Sequence, residues 1–194
     1  MRDIHKAAYG MYFGKRNLYL GCGMDRTESS KRQEWVNLDY FPAVNPDVCH
    51  DINKVPLPFN DGEFNCIFSC HTMEHIRREN FVHVVADLHR ILAPKGWLIA
   101  ITPHGASDVA WGLPQHHMLF NDLTWNGMDR RTYENKGNYG YMDTEGLPFK
   151  KWNIARLHLI PFPQFEHDPD LEWKSKHATN IIMEIHAVMQ REED

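Results

Sequence analysis

Glycines and acidic residues follow three apolar, strand-like segments near the start of the chain. The segment Leu18–Leu20 is followed at once by Gly21-Cys22-Gly23, and Trp35–Leu38 is followed by Asp39. A third, short segment ends just before Asp51. In an open parallel sheet, ligands bind beyond the carboxyl ends of the strands, where the strand order reverses. The positions of these residues therefore predict that they converge on one ligand site.

The chemistry of these residues suits an adenosine. Gly21 and Gly23 let the backbone approach a ligand closely, and Cys22 lies between them. Asp39 can accept hydrogen bonds from both ribose hydroxyl groups. Tyr40, the next residue, can lay its ring on the adenine. The sequence thus predicts that this part of the chain binds the sugar and one face of the base.

Asp51 and Ile52 would complete the site at the adenine. The Asp51 carboxylate can accept a hydrogen bond from the adenine amino group, with the backbone of Ile52 beside it. Each acidic residue taken alone has an ordinary explanation, because Asp39 suits a turn and Asp51 suits the cap of a following turn. Many strands also end in glycine. The common position of all three features at strand ends is what favours an adenosine site.

The elements that would hold these residues alternate between strands and helices. We predict strands at Leu18–Leu20, Trp35–Leu38, Val48–Cys49, Cys66–Ser69 and 97–102. A helix is predicted from about Glu79 to Leu92, because apolar residues recur there every three or four positions. The sequence APKG is expected to end this helix with a turn. Two strand-like runs near the C-terminus, 154–162 and 179–190, are expected to pair antiparallel.

This pattern predicts an α/β fold: a Rossmann-like, mostly parallel sheet with a C-terminal antiparallel hairpin, in three layers α/β/α. The 194 residues are expected to form a single domain over 1–194. The segment from about 102 to 151 is rich in glycine, histidine and aromatic residues and has little periodicity. Long loops are usually functional, so we predict an insertion or lid there. Its aromatic residues would either line an acceptor or form the lid's own small core.

The composition narrows the class of partner. Apolar residues make up 42% and charged residues 24% of the chain, as in an ordinary globular protein. The formal net charge of -5 disfavours a nucleic acid as the main partner. We expect no signal peptide and no membrane span, because no apolar run is long enough. The four cysteines lack metal-finger spacing, which favours a reducing, cytoplasmic location. The oligomeric state stays open.

Four stretches together resemble the class I methyltransferases that use S-adenosylmethionine (SAM). They are LYLGCG, VNLDYFP, DVCHDINKVPLPFNDGEFNCIFSCHTMEHI and LHRILAPKGWLIAITPH. In order, they resemble the family's glycine loop, its acidic ribose residue, its adenine-contacting aspartate with the fourth strand, and its fifth strand. The resemblance runs from about Asn17 to His104 and is closest to small-molecule-type domains of unassigned substrate. It implies SAM as the cofactor, with a site at Gly21, Cys22, Gly23, Asp39, Tyr40, Asp51, Ile52 and His71.

The glycine loop departs from the family pattern in one respect. Met24-Asp25 follows Gly23 where a third glycine is usual, and the segment before Asp39 is short and polar. We therefore predict that the first crossover helix is reduced or absent. A pyrophosphate would need the N-terminus of that helix, whereas SAM carries no phosphate, so the departure disfavours NAD. Arg26 and loop amides are the candidate partners of the methionine carboxylate.

Two histidines are the predicted catalytic residues, since a hydroxyl acceptor needs a base and histidine suits neutral pH. His104 follows the fifth strand and is the predicted general base. His71 follows the fourth strand, where the resemblance implies a residue near the methionine end of SAM. His75 is expected to pack or to cap a helix start. We predict no metal site, because the set His71, His104 and His116 contains no close i, i+4 ligand pair, and because His71 and His75 have that spacing but no evident third ligand.

These features predict an enzyme that transfers a methyl group from SAM to a small-molecule, glycan or lipid-precursor acceptor. A nicotinamide-dependent oxidoreductase could use the same sheet, and a non-catalytic SAM-binding protein could keep the same fold. Titration with each cofactor distinguishes the methyltransferase from the oxidoreductase. A measurement of SAM turnover distinguishes the methyltransferase from the non-catalytic protein. The sequence leaves open whether oxygen, nitrogen or carbon is methylated.

Overall fold

A computed structural model describes residues 3–129, 131, 152–170 and 182–192, built around one seven-stranded sheet. The strands are β1 (Arg16–Leu20), β2 (Glu34–Asp39), β3 (Val48–Cys49), β4 (Phe64–Cys70), β5 (Leu92–Pro103), β6 (Trp152–Pro161) and β7 (Ile182–Arg191). The helices are α1 (Asp3–Tyr9), α2 (Phe81–Ile91), α3 (Asp108–Trp111) and α4 (Asp122–Asn126). Within these ranges, no helix is both long enough and apolar enough to cross a bilayer.

The strand order β3-β2-β1-β4-β5-β7-β6 confirms the predicted class of sheet. The first five strands run parallel, and β7 pairs antiparallel with both β5 and β6. The direction in which the chain adds strands reverses between β1 and β4. This is the switch point of a Rossmann-like sheet, and a ligand is expected beyond the carboxyl ends of these two strands.

Alternate residues of the central strands point to opposite faces of the sheet and build two cores. Leu18 and Leu20 of β1 join the larger core, which also contains the apolar side of α2, whereas Tyr19 joins the smaller core. The smaller core is covered by α1 and by the 3-10 turn Gly10–Tyr12 that follows it. Both faces of the sheet are thus covered, as predicted, although the second layer is thin.

The connection from β1 to β2 contains no helix, as its short polar sequence predicted. Residues 21–33 are all described and form turns and extended chain. The buried side chain of Asn37 on β2 holds this connection. Its Oδ1 accepts from the Thr27 N–H at 2.8 Å, and its Nδ2 donates to the Thr27 carbonyl at 2.9 Å. These bonds satisfy backbone groups that a crossover helix would otherwise satisfy itself.

The junction of α2 and β5 differs from the turn that the sequence APKG predicted. A 3-10 turn, Arg78–Asn80, precedes α2, and the helix ends at Ile91, close to the predicted end. β5 begins immediately at Leu92, and a bulge then shifts its register against β4. A bulge accommodates Pro94, which has no N–H to donate to the sheet. The proline and glycine therefore mark an irregular strand and not a separate turn.

The described part of the predicted insertion packs on the main core. Phe120 and Trp125 are fully buried, and their rings stack with centroids 4.9 Å apart. α4, which carries Trp125, begins at a capping box in which the Asn121 side chain accepts from the Thr124 N–H. These two aromatic residues therefore belong to the core. Residues 130 and 132–151 lie outside the described residues, so a lid in that part stays a prediction.

Arg90 joins α2 to the loop before β4, and its replacement by lysine is expected to destabilise the fold. Its guanidinium donates to Asp87 Oδ1 at 2.6 Å and to the carbonyl groups of Phe59 and Leu57 at 2.8 and 3.1 Å. Lysine cannot present this planar set of donors. We expect Arg90→Lys to lower the free energy of unfolding by about 1.5 kcal/mol in urea denaturation. Arg32→Lys, at an exposed arginine, is the control, and equal stability of the two variants would contradict this role.

Candidate functional site

A cleft of about 420 Å³ opens at the carboxyl ends of β1, β2 and β4, at the switch point. Among its lining residues are seven that the sequence predicted to bind a cofactor: Gly21, Gly23, Asp39, Tyr40, Asp51, Ile52 and His71. The structure thus brings the ends of separate strands to one cavity, as the positions of these residues in the sequence predicted.

The glycine turn is held against β2 by its backbone. The N–H groups of Gly21 and Cys22 both donate to the Leu38 carbonyl, at 2.8 and 3.0 Å. Gly21 has a φ of 66° and Gly23 a φ of 50°, in the left-handed region that favours glycine. A β-carbon on Gly21 would overlap the Thr72 side chain, whereas one on Gly23 would meet nothing within 4 Å. Gly21 is therefore required for both its dihedral angle and its lack of a side chain.

Asp39 is fixed at the cleft by two backbone hydrogen bonds. Its Oδ2 accepts from the Gly23 N–H at 2.8 Å, and its Oδ1 accepts from the Phe41 N–H at 2.9 Å. Each carboxylate oxygen keeps a further lone pair for a ligand. The residue is only 8% exposed, so its side chain has little freedom. The result is a rigid pair of acceptors suited to two neighbouring hydroxyl groups.

Tyr40, Asp51 and Ile52 supply the surfaces that a flat base needs. Tyr40 is 72% exposed, and its ring centroid lies 6.3 Å from that of Phe41. Asp51 Oδ1 accepts from the Asn53 N–H at 2.9 Å, which fixes the carboxylate. Ile52 is buried and contributes an apolar wall. An accessible ring, an apolar wall and a fixed acceptor together suit an aromatic base with an amino group.

The side chains of two residues that the sequence placed at the ligand do not line the cleft. The Cys22 side chain is 2% exposed in the smaller core, because the left-handed backbone at Gly21 turns it away from the cleft. Burial, and then the charge of Asp39, raises the pKa of the Cys22 thiol to about 11. Arg26 forms an ion pair with Asp47 at 2.7 Å and does not line the cleft either. Neither side chain is therefore placed to contact a ligand there.

His71 is a charged member of the cleft. Its φ is 52°, and its N–H donates to the Ile101 carbonyl at 2.9 Å. Its Nε2 lies 2.9 Å from Glu184 Oε1, and its Nδ1 lies 3.5 Å from Glu74 Oε1. Hydrogen bonding to Glu184, and then the interaction with the Glu74 carboxylate, outweighs burial and raises the pKa of His71 to about 9. A protonated imidazole cannot accept a proton as a general base does, and the catalytic role of His71 stays a prediction.

A chain of hydrogen bonds leads from His71 to the first helix. Glu184 Oε2 lies 2.9 Å from His186 Nε2, and the Tyr9 hydroxyl lies 2.5 Å from His186 Nδ1. Burial acts to raise the pKa of Glu184, but hydrogen bonds from His186 and His71 outweigh it and hold the pKa at about 2. Burial also raises the pKa of Tyr9 to about 12. This relay connects α1, β7 and the end of β4.

Removing the charge of Glu184 is expected to weaken the fold in a pH-dependent way. Its folded pKa of about 2 lies below its ordinary value of 4.5, so the charged form stabilises the fold above that ordinary value. This contribution is lost as the pH falls toward the folded pKa. We expect Glu184→Gln to lower the free energy of unfolding by about 1.5 kcal/mol at neutral pH, and by progressively less in acid. Urea denaturation over a pH series measures this effect.

The exposed residue Glu166 provides the control for that experiment, because Glu166→Gln changes the same charge at the surface. We expect its unfolding free energy to match that of the unaltered protein throughout the pH series. A deficit in Glu184→Gln that stays the same size on acidification would contradict a role for the carboxylate charge.

A second cleft, of about 470 Å³, lies beside the first and is mainly apolar. Its wall includes Phe81, Val82, Trp111, Met118, Leu119 and Leu123. His117 lines both clefts, so the two are direct neighbours. Trp111 is 62% exposed and Leu123 61%, which leaves an apolar rim open to solvent. An apolar concavity with such a rim is typical of a binding site for an organic molecule.

His104, the predicted general base, is buried beneath the segment that follows β5. It is 3% exposed and lines neither of these two clefts. Its N–H donates to the Met183 carbonyl at 2.9 Å, and its Nδ1 accepts from the Ala106 N–H at 3.3 Å. Desolvation by burial lowers the pKa of the ring. The chain turns back where the Gly105 N–H donates to the Phe120 carbonyl, and the role of His104 as general base stays a prediction.

Sequence reasoning missed several lining residues of the first cleft. Thr72 and Gln115 were not singled out, and His75 was expected to pack or to cap a helix start. Thr72 follows β4 directly, so its position at a strand end was a usable signal. Gln115 and His117 lie in the aperiodic segment after β5, where no pattern distinguishes one of the thirteen histidines from another.

Comparison with known proteins agrees with this architecture. Residues 18–100 match the family model described as "Methyltransferase domain". No curated protein matches the chain significantly. Among solved structures, a SAM-dependent methyltransferase from Archaeoglobus fulgidus is 11% identical with a TM-score of 0.60, covering 96% of this chain and 91% of that one. YcgJ from Bacillus subtilis is 12% identical with a TM-score of 0.61, covering 97% of each chain.

A third solved structure contains ligands. It is the 1,6-didemethyltoxoflavin-N1-methyltransferase of Burkholderia thailandensis with bound 1,6-didemethyltoxoflavin and S-adenosylhomocysteine. The identity is 10% and the TM-score 0.55, over 98% of this chain and 76% of that one.

The fold and the partial family match agree with each other. The chain has the Rossmann-like fold of class I SAM-dependent methyltransferases, which the motifs predicted. Residues 18–100, less than half of the chain, match the methyltransferase family model. The comparisons therefore establish the fold of the chain, and they agree with SAM as the cofactor.

Proposed function

We propose that this protein transfers a methyl group to a small-molecule acceptor, with SAM bound in the first cleft and the acceptor in the second. The observation that carries the proposal is a single cleft that contains Gly21, Asp39 and Asp51, each from the end of a different strand. A tight glycine turn, a buried ribose acceptor and an adenine acceptor are the three features that an adenosine requires.

The residues of the first cleft have complementary tasks in this proposal. Asp39 accepts the two ribose hydroxyl groups, Asp51 accepts the adenine amino group, and Tyr40 and Ile52 enclose the ring. The methionine end of SAM lies beside His71 at the end of β4, where the two ring nitrogens of His71 already face Glu184 and Glu74. SAM supplies the methyl group on a sulfonium, and the protein aligns the acceptor in line with it and excludes water.

The second cleft determines the proposed class of acceptor. Its wall is mainly apolar. Among the described residues that line the two clefts, His117 is common to both. Burying a glycan there would leave many hydroxyl groups without hydrogen bonds, which is costly. A small aromatic or aliphatic molecule, or a lipid precursor, fits the same wall without that cost. We therefore propose a small aromatic or aliphatic molecule as the favoured class of methyl acceptor, and a lipid precursor as the second.

The two competing functions fit the geometry less well. A nicotinamide cofactor carries a pyrophosphate, and the glycine turn leads into residues 21–33, which are described and contain no helix N-terminus to bind it. A non-catalytic SAM-binding protein would need the first cleft only. The open apolar cleft beside it favours an enzyme that also binds an acceptor.

The cofactor part of the proposal is tested by calorimetric titration. We expect S-adenosylhomocysteine to bind with one site per chain and NAD to give no binding heat. Binding of NAD, with none of S-adenosylhomocysteine, would overturn the proposal in favour of the oxidoreductase.

The acceptor part is tested by the release of S-adenosylhomocysteine from SAM in the presence of an acceptor panel. The panel contains apolar phenols and amines, fatty acids and simple sugars. We expect turnover with members of the apolar groups and none with the sugars. Tight SAM binding without turnover on any acceptor would favour the non-catalytic alternative.

The cellular location is also a proposal. The four cysteines, all described, are free thiols, and one of them, Cys49, is exposed. Free thiols persist in a reducing compartment, so we place the protein in the cytoplasm.

A further inference from the structure

Three side chains that could bind a metal converge on the wall between the two clefts. One ligand atom each from Glu74, His75 and His116 lies within 4.8 Å of the others. Glu74 and His75 belong to the 3-10 turn after β4, and His116 belongs to the segment after α3. The N–H groups of His117 and Met118 donate to the Glu74 carbonyl at 2.8 and 3.1 Å, which holds the two segments together. The backbone therefore fixes the cluster before any ion is bound.

In both His75 and His116, one ring nitrogen contacts a backbone carbonyl, as is usual in histidines that bind a metal through the other nitrogen. His75 Nδ1 lies 3.1 Å from the Gln115 carbonyl, and His116 Nδ1 lies 2.9 Å from the Ala110 carbonyl. A carbonyl oxygen only accepts, so each Nδ1 carries the proton and donates. The lone pair of each ring is then on Nε2, the nitrogen that can bind a cation. Donation from the other ring nitrogen to a carbonyl is the usual second contact of a histidine ligand.

Glu74 lacks the hydrogen bonds that a buried carboxylate normally makes. The residue is 1% exposed, and in the described part of the chain neither Oε1 nor Oε2 has a hydrogen-bond partner. The His71 ring lies beside it, with Nδ1 3.5 Å from Oε1, and the other ring nitrogen of His71 lies 2.9 Å from Glu184 Oε1. Two carboxylates thus share one imidazole, which leaves the oxygens of Glu74 available for a further partner.

We propose that Glu74, His75 and His116 bind a divalent transition-metal ion of the zinc type. Two imidazoles and one carboxylate are a ligand set that zinc takes in sites with an open fourth position. Zinc bonds of about 2.0–2.2 Å place tetrahedral ligand atoms about 3.4 Å apart, so the three side chains would close by small rotations on binding. The ion supplies a partner for the Glu74 oxygens, which accept no hydrogen bond among the described residues.

The ordinary alternative is an imidazole pair packed beside an acidic residue. The rings of His75 and His116 do form an edge-to-face contact, with centroids 4.9 Å apart. That contact leaves both oxygens of Glu74 without hydrogen bonds, which is costly for a buried carboxylate. A bound ion accounts for the ring orientations and for the carboxylate together.

A bound ion would stabilise the wall that separates the two clefts. His75 lines the first cleft and His116 lines the second, so an ion joining them would fix the boundary between the proposed cofactor and acceptor sites. Binding of the ion needs neither SAM nor an acceptor. The inference therefore goes beyond the proposed function and can fail separately from it.

The experiment titrates Zn²⁺ into the full chain after treatment with a chelator and its removal. We expect calorimetry to show one high-affinity site per chain, and Zn²⁺ to raise the melting temperature. His116→Ala and Glu74→Gln should each weaken this site by about 10- to 100-fold or more. His83→Ala, at an exposed histidine of α2, should leave the affinity unchanged. Mg²⁺ in place of Zn²⁺ should bind far more weakly, because it prefers oxygen ligands.

A spectroscopic readout distinguishes the loss of the metal site from a failure of the variant to fold. Co²⁺ in place of Zn²⁺ should give the intense visible bands of a four-coordinate ion in the unaltered protein and in His83→Ala. Those bands should be absent from His116→Ala even where its unfolding curve without metal matches that of the unaltered protein. Absence of a high-affinity site, or retention of full Zn²⁺ affinity in both His116→Ala and Glu74→Gln, would overturn the proposal.

Discussion

Replacing Gly21 by alanine is expected to remove SAM binding and to destabilise the fold more than any other change at the glycine turn. The residue has a φ of 66°, which costs an alanine about 1–2 kcal/mol. A β-carbon there would also overlap the buried Thr72 side chain, and overpacking of this kind costs about 1–3 kcal/mol. We expect Gly21→Ala to lower the free energy of unfolding by about 2–5 kcal/mol in urea denaturation.

Gly23 provides the matched control for that variant. It shares the left-handed backbone, with a φ of 50°, but a β-carbon would meet nothing within 4 Å. Gly23→Ala should therefore show only the backbone cost of about 1–2 kcal/mol. Calorimetry with S-adenosylhomocysteine should find no binding to Gly21→Ala where Gly23→Ala still binds. Equal stability of the two variants would contradict a role for close packing between the turn and Thr72.

Replacing Asp39 by alanine is expected to weaken SAM binding by about 10- to 150-fold. Hydrogen bonds to a charged group contribute about 1.5–3 kcal/mol, and the ribose would lose its acceptors. The loss has a second source, because Asp39 Oδ2 also accepts from the Gly23 N–H at 2.8 Å and so positions the glycine turn. Isothermal titration with SAM measures the change in Kd directly.

Asp25 offers a control of the same type for the Asp39 experiment. It is an exposed carboxylate in the same loop, and it does not line the cleft. Asp25→Ala should leave the Kd for SAM unchanged, which separates the position of the charge from the net charge of the loop. Unchanged affinity in Asp39→Ala would remove the main support for the proposed cofactor site.

The sheet and the position of the first cleft could be predicted because they depend on local patterns. Leu18–Leu20 is a continuous apolar run that suits a buried strand, and Gly21 follows it directly. Asp39 stands at the same edge because parallel strands share the direction of their carboxyl ends. The short polar stretch before β2 also predicted correctly that no crossover helix forms there.

Features that depend on distant segments could not be predicted in this way. His104 stands at the end of β5, as expected, but the fold of the following segment over it decides that it is buried. His116 meets Glu74 only because backbone hydrogen bonds join two segments that are far apart in sequence. The cationic state of His71 depends on Glu184, which β7 delivers from the far end of the chain. The spacing of residues along the sequence does not reveal these contacts.

The central claim is that one adenosine site is formed where β1, β2 and β3 end, and a crystal structure with bound S-adenosylhomocysteine tests it most directly. The account predicts both ribose hydroxyl groups within hydrogen-bond distance of the Asp39 carboxylate, and the adenine between Tyr40 and Ile52 with its amino group at Asp51. A nucleoside bound anywhere else, with Asp39 and Asp51 making no contact to it, would contradict the account.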